Sequence, residues 1–230
     1  MGGVARLDLD RLRHGLIVSC QPVPGGPMDA PAMVVGFALA ALAGGAGGLR
    51  IESARHVAAV RAATDAPVIG LVKRDLADSP VRITPWLADV VGLAAAGADI
   101  VAFDATRRPR PVTVPDLVRA IHASGRRAMA DCAGVEDARA ALAAGADLVG
   151  TTLSGYTGGP EPEDPDLDLV AALAHIAPRV VAEGRIRTPG QARAALARGA
   201  FAVVVGSAIT RPEHVTGWFV DALAGGADAA

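Results

Sequence analysis

The chain has 230 residues, a formal net charge of −2 from 22 basic and 24 acidic residues, and 51% hydrophobic but only 3% aromatic residues. One large core fits that length, and barrel domains run to about 250 residues; the balanced charge gives no electrostatic reason to expect a nucleic-acid or membrane-surface partner. Two cysteines, Cys20 and Cys132, without paired spacing favour a reducing, cytoplasmic setting.

With so few aromatics, the core must be built from Ala, Val, Leu and Ile, which suit helices packed on a parallel sheet. The first 13 residues carry charges throughout and lack an apolar signal core, so they read as an N-terminal extension. Short apolar runs then recur about every 27 residues, the length of one β-loop-helix-loop unit. They predict strands at Gly15–Cys20, Gly48–Glu52, Val68–Lys73, Ile100–Asp104, Ala128–Cys132, Leu148–Thr152, Val180–Glu183 and Val203–Ser207. These runs are apolar almost throughout, as parallel strands covered on both faces should be.

Between them, the run Met33 to Ala46 is too short to cross a bilayer and reads as a buried helix. Thr84-Pro85 and Thr188-Pro189 each predict an N-cap before a helix-starting proline. Ala96-Gly97-Ala98-Asp99, Ala144-Gly145-Ala146-Asp147 and Arg198-Gly199-Ala200-Phe201 each place a glycine where a left-handed C-cap would end a helix before the next strand. This internal repeat favours a single-domain (β/α)8 TIM barrel of the α/β class over a doubly wound sheet, for which there is no glycine-rich dinucleotide fingerprint. Residues 221–230 are expected to form a frayed tail.

Polar groups at strand C-termini face the active site of such a barrel. Every predicted strand ends in groups able to charge, donate or accept, which implies a polar mouth for a small hydroxylated ligand. Gly184, Arg185, Gly206, Ser207 and Arg211 lie in the loops after strands seven and eight, where barrels commonly bind phosphate. The glycines admit close main-chain approach and Arg211, ahead of Arg185, supplies charge; the alternative is that the glycines only turn the chain. Lys73 and Glu183 each end an apolar strand. A lysine there is pushed towards use as a base, although the two could instead form a structural ion pair. Asp104 and Asp131 are placed to orient the lysine or bind hydroxyls. The five histidines fall outside strand ends at no metal-ligand spacing, so neither a metal nor another cofactor is expected.

The segments Gly15 to Gln21, Ile69 to Asp75, Gly150 to Thr157, Val181 to Arg185 and Val205 to Arg211 together resemble the N-acetylmannosamine-6-phosphate 2-epimerases, also called N-acylglucosamine-6-phosphate 2-epimerases, over nearly the whole chain. The resemblance implies a metal-independent barrel that interconverts the 6-phosphates of N-acetylmannosamine and N-acetylglucosamine in sialic acid catabolism. It assigns catalysis to Lys73 and Glu183, substrate contacts to Gln21, Arg50 and Asp131, and phosphate to Gly206 through Arg211, and it implies a homodimer; Thr152, at the end of the sixth strand, is a further substrate-binding candidate. Ala133-Gly134 and Arg107 depart from the family pattern at the mouth, which bears on substrate preference more than on reaction type. Two rival readings are a Schiff-base lyase using Lys73 and a non-catalytic phosphosugar-binding barrel.

Overall fold

A computed structural model describes residues 7–225. After a 3-10 turn at Leu9–Leu12 the chain alternates strand and helix: β1 (Leu16–Cys20), α1 (Pro31–Ala43), β2 (Gly48–Glu52), α2 (Ala54–Arg61), β3 (Val68–Leu71), α3 (Leu87–Ala95), β4 (Ile100–Asp104) and α4 (Val114–Ala123). The second half continues with β5 (Arg127–Asp131), α5 (Val135–Ala143), β6 (Leu148–Gly150), α6 (Leu167–Ala174), β7 (Val180–Ala182), α7 (Pro189–Ala197), β8 (Ala202–Val205), α8 (Ser207–Thr210) and α9 (Pro212–Gly225). All strands are parallel and pair in chain order, and β8 closes on β1 with Val204 opposite Ile17. The protein is a (β/α)8 barrel.

Strand alternation divides the core in two. Ile17, Ile69, Leu71, Ile100, Ala102, Met129, Leu148, Val181 and Val204 fill the barrel interior, and Leu9, Leu12 and Phe201 join them. Their neighbours Val18, Leu49, Ile51, Val101, Phe103 and Val149 point outward and pack under the helices. Cys20 and Cys132 belong to this outer layer, so both thiols are packing groups, and burial pushes Cys20 up to about 12.

The helix stops follow the sequence. Gly97, Gly145 and Gly199 have φ of +95°, +98° and +94°, values that a side chain opposes and glycine does not. Thr188 caps α7, accepting from Gln191 N at 3.2 Å. Thr84 does not cap a helix. Its φ is +47°, it is fully buried, and its hydroxyl donates to Ala102 O at 2.6 Å; α3 starts after Trp86, whose N–H donates to Asp89 Oδ2 at 3.2 Å.

Three further expectations are corrected. Strand β3 ends at Leu71, because Lys73 leaves the sheet to form an antiparallel bridge with Ile83. Helix α1 is only partly covered, with Met33 and Leu39 exposed. The chain is helical through residues 221–225 rather than frayed there, since α9 continues to Gly225; residues 226–230 and 1–6 of the two terminal expectations lie outside the described residues. Among the described residues no helix is long and apolar enough to cross a membrane.

Candidate active site

The strand alternation that fills the core also selects the site. One step beyond the apolar interior, the inward positions are occupied by Ser19 and Gln21 after Ile17, Lys73 after Leu71, and Asp104 after Ala102. Asp131 follows Met129, Thr152 follows Gly150, Glu183 follows Val181, and Gly206 follows Val204. Arg50 is the inward residue of β2. These groups surround a cavity of about 560 Å³ at the C-terminal end of the barrel, within the range of small-molecule sites. Lys73 and Glu183 follow β3 and β7, strands separated by three others either way round the ring, so they reach the cavity from opposite walls.

Arg50 is the floor. It is 1% exposed, and its Nη2 and Nη1 donate to Asp131 Oδ2 at 2.7 Å and Oδ1 at 3.2 Å. The same guanidinium pairs with Glu183 Oε2 at 3.0 Å. Burial alone would lower its pKa, but Asp131 and Glu183 outweigh burial and hold it above its usual value. Thr152 Oγ1 lies 2.7 Å from Asp131 Oδ1 and 3.1 Å from Glu183 Oε2. Two buried polar atoms in this floor, Arg50 Nε and Gln21 Oε1, have no hydrogen-bond partner among the described residues. Buried polar groups are nearly always paired, which makes these two atoms exceptions in the floor of the site.

The two candidate proton carriers are shifted towards each other. Burial, then the positive fields of Arg211 and Arg50, lower Lys73 to about 8 against the opposing pull of Glu183 and Glu52. Glu183 moves up, chiefly by burial and with help from Asp131, although Arg50, Thr152 and Lys73 oppose the shift. Lys73 makes no ion pair among the described residues; Glu183 pairs with Arg50. The structural ion-pair alternative for Lys73 and Glu183 therefore fails. Lys73 is steadied by its main-chain N–H, which donates to Glu52 Oε1 at 3.3 Å, and not by either aspartate.

Asp104 faces its own loop, accepting from Thr106 N at 2.9 Å, Thr106 Oγ1 at 2.6 Å and Arg108 Nη2 at 2.7 Å. Arg107 is exposed, and its main-chain N–H and that of Ala133 both donate to Asp137. Both unusual segments thus share one anchor.

Among the phosphate candidates, Gly206 sits against β1, where a Cβ would meet Ser19 Cβ at 3.3 Å. Thr210 Oγ1 donates to Ser19 O at 2.6 Å and Arg211 Nε to Gln21 O at 2.7 Å, tying the β8 loop to the end of β1. Arg211, Ser207 and Gly184 line the cavity. The Arg185 guanidinium is committed elsewhere: Nη1 donates to Ser154 O at 2.6 Å, Nε donates to Asp164 O at 2.8 Å, and it lies over the Tyr156 ring at 5.2 Å. It fastens the β6 loop, which leaves its main chain, not its side chain, for an anion. Sequence reasoning missed Arg108, Tyr156, His214 and Trp218, which also line the cavity. They sit deep in loops or on α9, beyond the strand-end positions that periodicity marks. No cluster of three or more metal-ligating side chains occurs among the described residues.

A barrel whose mouth sets a lowered lysine opposite a raised glutamate defines an acid–base enzyme of the (β/α)8 class. The sequence profile described as "Putative N-acetylmannosamine-6-phosphate epimerase" matches residues 34–225. The chain is 57% identical over 220 residues to the "Putative N-acetylmannosamine-6-phosphate 2-epimerase" of Yersinia pseudotuberculosis serotype O:3, covering 94% of each chain. It is 58% identical over 213 residues to the protein of the same description from Yersinia pestis, strain Pestoides F, covering 93% of this chain and 91% of that one. Its fold superposes on the N-acetylmannosamine-6-phosphate 2-epimerase from Clostridium perfringens with a TM-score of 0.90 at 40% identity, over 93% and 95% of the two chains. The chain belongs to the N-acetylmannosamine-6-phosphate epimerase family.

Proposed function

We propose that the protein interconverts N-acetylmannosamine 6-phosphate and N-acetylglucosamine 6-phosphate by moving a proton at C2, within amino-sugar and sialic acid catabolism. The observation that carries this reading is the approach of Lys73 and Glu183 from opposite walls of one cavity. Inversion at a carbon needs a proton removed from one face and returned to the other, and two groups on one wall could not serve both faces.

In the ring-opened aldehyde the C2 hydrogen lies beside a carbonyl. Neutral Lys73 takes that proton from one face and the C–H electron pair passes into an enolate, with charge on O1. Protonated Glu183 then returns a proton to C2 from the other face; in the reverse direction the roles exchange. The buried Arg50 guanidinium at the cavity floor puts a fixed positive charge beside the developing enolate, and such preorganised charge commonly makes the largest catalytic contribution. Gly184, Arg185, Gly206 and Ser207 would offer main-chain N–H groups and Arg211 a charge to the phosphate. That grip holds the sugar in register while C2 inverts.

The pair carries one proton throughout: ionised Glu183 with protonated Lys73, or protonated Glu183 with neutral Lys73. Activity therefore falls when pH rises through about 8, where the pair loses that proton. It also falls when pH drops through the raised Glu183 value, where the pair gains a second one. We also propose a homodimer, supported by Phe219, Val220 and Leu223, which leave α9 with an exposed apolar face.

Turnover of N-acetylmannosamine 6-phosphate in D2O, followed by NMR, tests the reading. Deuterium should enter C2 of the N-acetylglucosamine 6-phosphate formed. Product without C2 deuterium, or no product, would overturn it.

A further inference from the structure

Thr152 stands between two carboxylates and has one hydroxyl proton to give. Its Oγ1 lies 2.7 Å from Asp131 Oδ1 and 3.1 Å from Glu183 Oε2, and it cannot donate to both at once. Asp131 is fully buried and accepts at both oxygens from Arg50. The free variable is Glu183. We propose that Thr152 is a positioning residue whose hydroxyl turns with the protonation state of Glu183, donating to Asp131 when Glu183 carries a proton and to Glu183 when it is ionised. This goes beyond a substrate contact for Thr152 and rests on the reading of Glu183 as a proton carrier.

Each state is then fully satisfied. When Glu183 is protonated, its O–H donates to Thr152 Oγ1, and Thr152 donates onward to Asp131. When Glu183 is ionised, the threonine O–H swings to Glu183 Oε2, which also faces Arg50 at 3.0 Å, while Asp131 keeps its two bonds from Arg50. No proton crosses the threonine and no heavy atom moves; only one O–H torsion changes. The surroundings keep the arrangement in place. Threonine is β-branched and stiff at χ1. At Gly150 an added Cβ would meet Met129 Cε at 2.8 Å, Thr152 Oγ1 at 3.1 Å and Asp131 Oδ1 at 3.4 Å, so a bare backbone there leaves the room in which hydroxyl and carboxylate meet. A carboxylate whose two states are both hydrogen-bonded in advance can exchange a proton with carbon without reorganising its site.

The test compares Thr152→Val, which removes the hydroxyl and keeps the shape, with Thr152→Ser, which keeps the hydroxyl. Thr152→Ala is a second hydroxyl-free variant should Val not fold. Glu183 is titrated in ligand-free protein by infrared spectroscopy, using the protonated-carboxyl band that Glu183→Gln lacks. Without the hydroxyl, ionised Glu183 loses a donor, so its titration and the acid limb of kcat should both move up by about one pH unit. At pH 7 kcat should fall about tenfold with KM changed less than about twofold, and Ser should restore all three. A raised KM with the titration unmoved would overturn the proposal and make Thr152 a substrate ligand. Because the infrared titration needs no substrate, a shifted band in a protein that never exchanges C2 would uphold the rotor while refuting the epimerase reading.

Discussion

The two ends of this barrel treat carboxylates in opposite ways. At the N-terminal end, Asp147 accepts from Ala128 N at 2.8 Å and Arg127 Nη1 at 2.9 Å, and shares a hydrogen bond of 2.8 Å with His122 Nε2. Burial would raise its pKa, but those partners outweigh burial and bring it down. Asp99 repeats the arrangement, accepting from Val68 N at 2.9 Å and Arg61 Nη2 at 2.5 Å. At the C-terminal end, Glu183 shares one guanidinium and one hydroxyl with Asp131, and its pKa rises. The lower end surrounds a carboxylate with more donors than it needs and fixes its charge. The upper end makes two carboxylates share one guanidinium and one hydroxyl, an arrangement that accommodates a change of state at Glu183. On the proposed reading, the raised carboxylate belongs to the region that does chemistry and the lowered one to the region that holds register.

Substitutions should separate the two regions. The largest effect is expected for Lys73→Ala and Glu183→Gln, each lowering kcat by about 10²–10⁴-fold with the melting curve nearly unchanged; steady-state kinetics beside thermal melts would show it, and near-normal turnover in either variant would remove that residue from catalysis. Arg50→Ala should breach the separation by costing both. It strands Asp131 and Glu183 in the core, so stability should drop by about 3–5 kcal/mol in denaturant titrations while activity disappears. Asp147→Ala should do the reverse of the catalytic variants. With Ala128 N–H and the His122 and Arg127 side chains left short of an acceptor, stability should fall by about 1–3 kcal/mol in urea, with kcat preserved in the folded fraction. Because the Asp147 pKa is lowered in the folded state, its contribution is present above the ordinary carboxylate range and lost as pH falls through the folded value. Arg211→Ala is the narrowest: KM for the phosphorylated sugar should rise about tenfold or more, from loss of one charge-assisted contact, with kcat within about threefold.

The contrast also explains what the sequence made legible. The Ala-Gly-Ala-Asp repeat marks the helix ends, because a left-handed C-cap demands glycine; that its aspartate accepts an N–H near the start of a neighbouring strand shows only in the fold. Position at a strand's end placed Asp131, Lys73 and Glu183 in the mouth, and the family resemblance added Arg50, since where an apolar run stops is a local property. Side-chain loyalties in the loops are not local. Arg185 reads as a phosphate arginine, but its guanidinium fastens Ser154 and Asp164, contacts set by how two loops pack. Thr84 reads as an N-cap until β4 supplies Ala102 O. Tyr156, His214 and Trp218 reach the cavity only after the β6 loop and α9 have folded over it.

The division of labour between Lys73 and Glu183 is the centre of this account, and one measurement addresses it directly. Glu183→Gln is incubated in D2O with each pure epimer, and C2–H loss is followed by proton NMR without regard to net turnover. One group working from one face should wash out the C2 hydrogen of one epimer only, through Lys73, with no conversion to the other. Exchange of both epimers by this variant would show that a single residue serves both faces and contradict the two-wall mechanism.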